Sequence, residues 1–117
     1  GFARALLPAA ASMPLLLSGT AAVVGHASQH GDSLAAQLDE TLANLDSLIT
    51  TARTRRTTLA KQTGPHSHLK VYVRDAEALP QVARLLEACL PADVPRIILH
   101  GQVCRRELAV EIDGTHG

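Results

Sequence analysis

A chain of 117 residues, 46% apolar and 19% charged, has the size of one domain and enough apolar side chain for one ordinary core. Folding would bury roughly two thirds of the surface that the extended chain exposes. Eleven Lys plus Arg balance eleven Asp plus Glu, which excludes the basic footprint of a nonspecific nucleic-acid binder, and 2% aromatics leave almost nothing for base stacking or an aromatic ligand cage. Two cysteines, Cys89 and Cys104, cannot build a four-ligand zinc cage or a secreted disulfide framework, and they point to a reducing, cytoplasmic setting.

The first thirty residues look like a leader or a membrane span, because no formal charge occurs between Ala5 and Gln29. Pro8 and Pro14 break that run and Ser12, Ser18, Gly19 and Thr20 dilute it, so a continuous spanning helix is excluded. The pieces between the breakers, Phe2 to Leu7, Leu15 to Ser18 and Thr20 to Val24, read as three strands buried on both faces. A sequence that opens on Gly1 rather than Met reads as a cloning remnant or as the downstream part of a longer protein.

A polar loop from Gly25 to Gly31 follows, with Asp32 or Ser33 as a helix cap. Leu34, Leu38, Leu42, Leu45, Leu48 and Ile49 then recur at spacings of three and four, the signature of one helix face. Acidic residues toward its start and Arg53, Arg55 and Arg56 at its end suit the helix dipole, so the arginines are expected to form a solvated terminus. Leu69, Val71 and Val73 alternate with Lys70, Tyr72 and Arg74, which predicts a strand with one wetter face. After a turn and Pro80, the residues Val82, Leu85, Leu86, Cys89 and Leu90 predict a second helix, with Cys89 as a small core residue. Strands are expected at Arg96 to Val103 and Leu108 to Ile112, joined by a turn over Cys104 to Glu107. The order is β-β-β-α-β-α-β-β, with no internal repeat.

Six scattered histidines show no metal-ligand spacing, and His66 and His68 at best suggest a weak loop site. Gly25 and Gly31 match no nucleotide fingerprint, and Asp39, Glu40 and Asp46 read as a solvated helix side. Glu111 is the odd residue, because it lies within Leu-Ala-Val-Glu-Ile, where an ionised carboxylate is depleted unless paired or functional. Arg96, Arg105 and Arg106 lie on or beside the strand expected to adjoin it in a hairpin, and arginine forks suit carboxylates. The combination reads as a proton donor beside an anion clamp, against a structural salt bridge at a sheet edge.

The element order, Ser18-Gly19-Thr20-Ala21, Val24-Gly25-His26-Ala27-Ser28, and Val103-Cys104-Arg105-Arg106-Glu107-Leu108 followed by Val110-Glu111-Ile112 resemble the YjgF/RidA family, and within it the carboxyl-terminal half of chorismatases. The resemblance implies an α+β fold, a YjgF/RidA-like (chorismate-mutase-like) mixed sheet with two helices packed on one face, over residues 1–117. It implies that Glu111 protonates the enolpyruvyl methylene of chorismate, that Cys104 shapes the product, and that Arg96 and Arg105 hold substrate carboxylates beside Gly19 and Thr20. The implied reaction yields 3-hydroxybenzoate, with or without 4-hydroxybenzoate, plus pyruvate, and needs no metal or organic cofactor. The expected partner is that small molecule, without nucleic acid or membrane, and the isolated domain is expected to be a homotrimer. Two rival readings are an imine deaminase, using Arg96 for the substrate carboxylate and Glu111 to hold water, and a catalytically inert trimeric ligand-binding or assembly domain.

Overall fold

The structure is a computed structural model that describes residues 5–20, 23–24, 27–28, 34–101 and 110–117. Its elements are β1 (Ala5–Leu6), β2 (Leu15–Thr20), β3 (Val23–Val24), β4 (Ala27–Ser28), α1 (Leu34–Arg53), β5 (Ser67–Val73), a 3-10 turn (Ala76–Ala78), α2 (Leu79–Cys89), β6 (Arg96–His100) and β7 (Val110–His116). The expected α+β class is present, as a mixed sheet in the order β1-β2-β7-β5-β6 with both helices on one face. A separate two-stranded ribbon pairs Val23 with Ser28 and Val24 with Ala27, so part of the expected loop from Gly25 to Gly31 is strand. The proposed cap at Asp32 or Ser33 lies outside the described residues.

Alternation explains the layering. Along β5 every second residue is buried, Ser67, Leu69, Val71 and Val73, while His68, Lys70 and Tyr72 point away from the helices. On β7, Val110 and Ile112 face inward with them. The helix α1 lays Leu38, Leu45 and Ile49 on this surface, and α2 adds Val82 and Leu86. The amino-terminal strands are not buried on both faces as expected. Leu15 and Leu17 of β2 enter the core, whereas Leu16 is partly exposed and Ser18 exposed, because no helix covers that side of the sheet among the described residues.

Two local expectations are corrected. Cys89 is an exposed free thiol, because the apolar stripe of α2 runs through Val82 and Leu86 and the chain then bends at Leu90 into extended backbone. Burial of its neighbourhood and then the nearby Asp39 carboxylate push this thiol upward from its ordinary range. The arginines after α1 are not a merely solvated cluster. The Arg56 guanidinium donates to the carbonyls of Pro8, Ala10 and Met13 and so pins the proline-bounded loop, and Arg53 donates to the carbonyl of Leu59 at 2.9 Å.

The last two strands do not form a hairpin. β6 returns through α2 and pairs in parallel with β5, Leu69 opposite Arg96 through Val73 opposite His100. β7 takes the other side of β5, with Tyr72 opposite Glu111, and also pairs with β2. It runs four residues beyond the expected end at Ile112, through Asp113, Gly114, Thr115 and His116. His116 is buried and closes a relay: Gly64 N–H donates to Ser67 Oγ at 3.1 Å, the Ser67 hydroxyl meets His116 Nδ1 at 2.8 Å, and His116 Nε2 donates to the Ala60 carbonyl at 2.7 Å. That relay fastens the end of β7 to the loop after α1.

Candidate active site

The face of the sheet turned away from the helices carries the polar residues, stacked in rungs by the β5–β7 register. Glu111 lies opposite Tyr72, Asp113 opposite Lys70, and Thr115 opposite His68. Neighbouring strands supply apolar flanks, Leu16 of β2 on one side and the exposed Ile97 and Leu99 of β6 on the other. Across the lower rungs runs a cleft of about 490 Å³, lined among others by Leu16, His68, Lys70, Ile97, Asp113 and Thr115. That volume falls within the usual range for small-molecule sites.

Glu111 is 8% exposed although it sits on the open face. Tyr72, opposite Glu111, is the diagonal cross-strand neighbour of Asp113 on the same face, within reach of a long side chain. The other side of its ring borders Gly101, where an added Cβ would sit 3.5 Å from the ring edge. Partial burial first, and then the Asp113 carboxylate and Glu111, raise the phenol above its ordinary range, so it remains a donor at neutral pH. Glu111 and Asp113 are two residues apart on one strand face, about 6.6 Å along the strand. Two carboxyl groups so placed allow one to give a proton and the other to take one, with His68 and Lys70 nearby as counter-charges for an anion.

The other sequence candidates distribute unevenly. Gly19 and Thr20 end β2 beside β7, where the register slips between Leu17 and Thr20 and Thr20 comes opposite Ile112, next to Glu111. Such a bulge is a common way of re-aiming a strand beside a site. Arg96 is corrected. It borders the cleft, but the strand pairing sets it opposite Leu69, on the inward face, and its guanidinium donates to the carbonyls of Leu86 at 3.1 Å, Pro91 at 2.7 Å and Val94 at 3.1 Å. Those bonds close the carboxyl end of α2, so Arg96 is not aimed at Glu111 as a hairpin would have required. Cys104, Arg105 and Arg106 lie outside the described residues. The residues that flank their segment, Gly101 and Val110, both stand at the Glu111 end of the sheet, bonded to and paired with Val73. His66 is exposed in a turn and His68 is on the open face, and no group of three metal-ligating side chains gathers among the described residues.

Tyr72, Asp113 and Lys70 were not singled out by the sequence. The available signals were the wet side of the β5 alternation and an aspartate two places after Glu111.

Sheet order and helix placement define a YjgF/RidA-like fold. Solved structures bear this out: a YjgF-family member from Neisseria meningitidis superposes with a TM-score of 0.72 at 21% identity, covering 98% of this chain and 85% of that one. A chorismatase crystal structure superposes with a TM-score of 0.82 at 32% identity, covering 99% of this chain and 36% of that one. Among curated proteins, a chorismatase of Streptomyces rapamycinicus is 34% identical over 110 residues, 92% of this chain and 33% of the relative. A 3-hydroxybenzoate synthase of Streptomyces hygroscopicus is 32% identical over 103 residues, 86% of this chain and 30% of the relative. Over the part of their length that it matches, the chain is similar to chorismatases. It spans about one third of the length of the curated relatives it matches. No family model matches it. Among the described residues no helix is long and apolar enough to cross a membrane.

Proposed function

We propose that this chain is part of an enzyme that converts chorismate to 3-hydroxybenzoate, with or without 4-hydroxybenzoate, and pyruvate, and that it supplies the proton donor, Glu111. The observation that carries the reading is the shielded carboxyl of Glu111 on the open sheet face, beside a second carboxylate and above a cleft lined by His68 and Lys70 among others. Protonating the enolpyruvyl methylene makes the attached carbon electron-deficient and weakens the ether bond to the ring. Breaking that bond leaves its electron pair on oxygen, which becomes the carbonyl of pyruvate. This chemistry needs no metal or organic cofactor, and a cytoplasmic location accords with the free thiol of Cys89.

The test is incubation of the full natural chain with chorismate, following pyruvate enzymatically and the aromatic product by chromatography. An amino-acid-derived imine run in parallel addresses the deaminase alternative, against which the engagement of Arg96 with the end of α2 counts. Pyruvate release by these 117 residues alone, compared with the full natural chain, addresses the inert module.

Cys104, on the family resemblance, shapes the product and forms no covalent bond to it. Cys104→Ala in the full natural chain is expected to change the ratio of aromatic products while pyruvate release stays within about tenfold of the parent, a loss smaller than the removal of a positioned acid or base causes. Loss of pyruvate release in the folded variant would count against this role. The open sheet face, with Leu6, Leu16, Ile97 and Leu99 partly or wholly exposed, also suits self-association. The isolated 117-residue chain is expected to scatter light as a homotrimer at micromolar concentration, and a monomer there would overturn this part.

A further inference from the structure

Resting on the reaction proposed above, we infer that Asp113 is a second catalytic residue, the acceptor of the proton that the ring releases, and that Tyr72 is the residue that positions it. Hydroxybenzoate and pyruvate together contain the atoms of chorismate and nothing more. Each proton that Glu111 gives to the methylene must therefore be balanced by one leaving the ring. When the ether bond breaks, its electron pair goes to pyruvate and the ring carbon that bore it is left electron-deficient. On the route to 3-hydroxybenzoate the neighbouring ring hydroxyl oxygen bonds to that carbon and its bond to its first carbon opens, leaving the first carbon electron-deficient instead, whereas on the route to 4-hydroxybenzoate the oxygen stays in place. The bond to the departing ring proton then breaks, its electron pair stays in the ring as the ring becomes aromatic, and the proton passes to the Asp113 carboxylate. Return of a proton to Glu111 through solvent closes the cycle, with no oxidant or reductant.

The geometry carries the assignment. Asp113 lines the cleft, whereas Glu111 stands one rung above it on the same strand face, so a ring in the cleft can lie against Asp113 with its enolpyruvyl arm toward Glu111. An ordinary structural role as the cross-strand partner of Lys70 is weakened by the observed bonding. The two are opposite in register, but the salt bridge found among the described residues is that of Arg74 with Asp75, and Tyr72 is the diagonal neighbour of Asp113, whose carboxylate raises the phenol above its ordinary range. A hydroxyl so placed can steady the carboxylate by donating to it, and the remaining lone pairs are still able to accept. A side chain larger than hydrogen at Gly101, just after β6, would meet the Tyr72 ring.

The experiment is steady-state kinetics with chorismate on the full natural chain, using the parent, Asp113→Asn, Tyr72→Phe and the double variant, each checked for cooperative melting. Asp113→Asn can still accept a hydrogen bond from Tyr72, so the fold is expected to survive, and kcat should fall about 100-fold with KM within threefold of the parent. Tyr72→Phe keeps the carboxylate but frees it, and kcat should fall by about tenfold, the lower part of the range for such catalysis. Because Tyr72 acts through Asp113, the double variant should be no slower than Asp113→Asn alone. A folded Asp113→Asn with kcat within threefold of the parent overturns the inference. If Asp113→Asn does not fold, Tyr72→Phe decides, and an unchanged kcat there overturns it. Independent multiplication of the two losses overturns the positioning role. A parent inactive on chorismate overturns the proposed function and this inference together, whereas an active parent with an unaffected Asp113→Asn overturns this inference alone.

Discussion

Glu111→Gln in the full natural chain is expected to lower chorismate turnover about 100-fold or more while substrate binding persists, the usual scale for losing a positioned acid. The amide keeps the shape of the side chain and a hydrogen-bonding head but has no proton to transfer. Glu111 is 8% exposed and lies on a strand held on both sides, by β2 and β5, so the backbone that presents it does not depend on the carboxyl. The variant is therefore expected to fold, its amide head still able to hydrogen-bond. Pyruvate release gives the rate and equilibrium titration with chorismate gives the binding. Near-parental turnover in a folded Glu111→Gln would reduce Glu111 to a structural polar residue and remove the proton donor from the proposed mechanism.

Gly114→Ala is expected to lower folding stability by about 3 kcal/mol, a large share of what a small domain has. Gly114 has φ of +153°, and a Cβ built there would lie 1.9 Å from the His68 carbonyl oxygen, backbone that cannot yield as a flexible side chain would. β7 and β5 approach each other at this point, directly under the cleft and between Asp113 and Thr115. Chemical denaturation read by far-ultraviolet circular dichroism checks the stability. A midpoint within error of the parent would mean that the two strands can separate locally at no cost.

The elements with strong periodicity were legible. The leucine spacing placed α1, and the alternation from Leu69 to Val73 placed β5 and its wet side, because each pattern expresses one buried face of a regular backbone. Glu111 was legible for a related reason, as a carboxylate interrupting apolar alternation. The second half of β7 was not, because Asp113 and Gly114 are poor strand formers that tertiary pairing with β5 and β2 overrides. Strand neighbours were not legible either. Local pattern does not say which strand lies beside which, so the expected β6–β7 hairpin put Arg96 near Glu111 when β5 in fact lies between them. The same limit applies to Arg56, whose carbonyl partners are more than forty positions away in the chain. Tyr72 and Asp113 went unremarked because their link is a diagonal across two strands, visible only once the register is known.

The central position of β7 has a consequence for how the molecule is made. It is the last strand in chain order, yet it joins the β1–β2 pair to the β5–β6 pair. Until residues 110–116 have been synthesised, β2 and β5 each present an open edge, and β2 must wait through some ninety residues for its inner neighbour. Contacts of that sequence separation form slowly, and unpaired edges are where nascent chains associate wrongly. A ribosomal product stopped before Val110 would hold two unconnected pairs of strands, each with an edge open to a neighbouring chain.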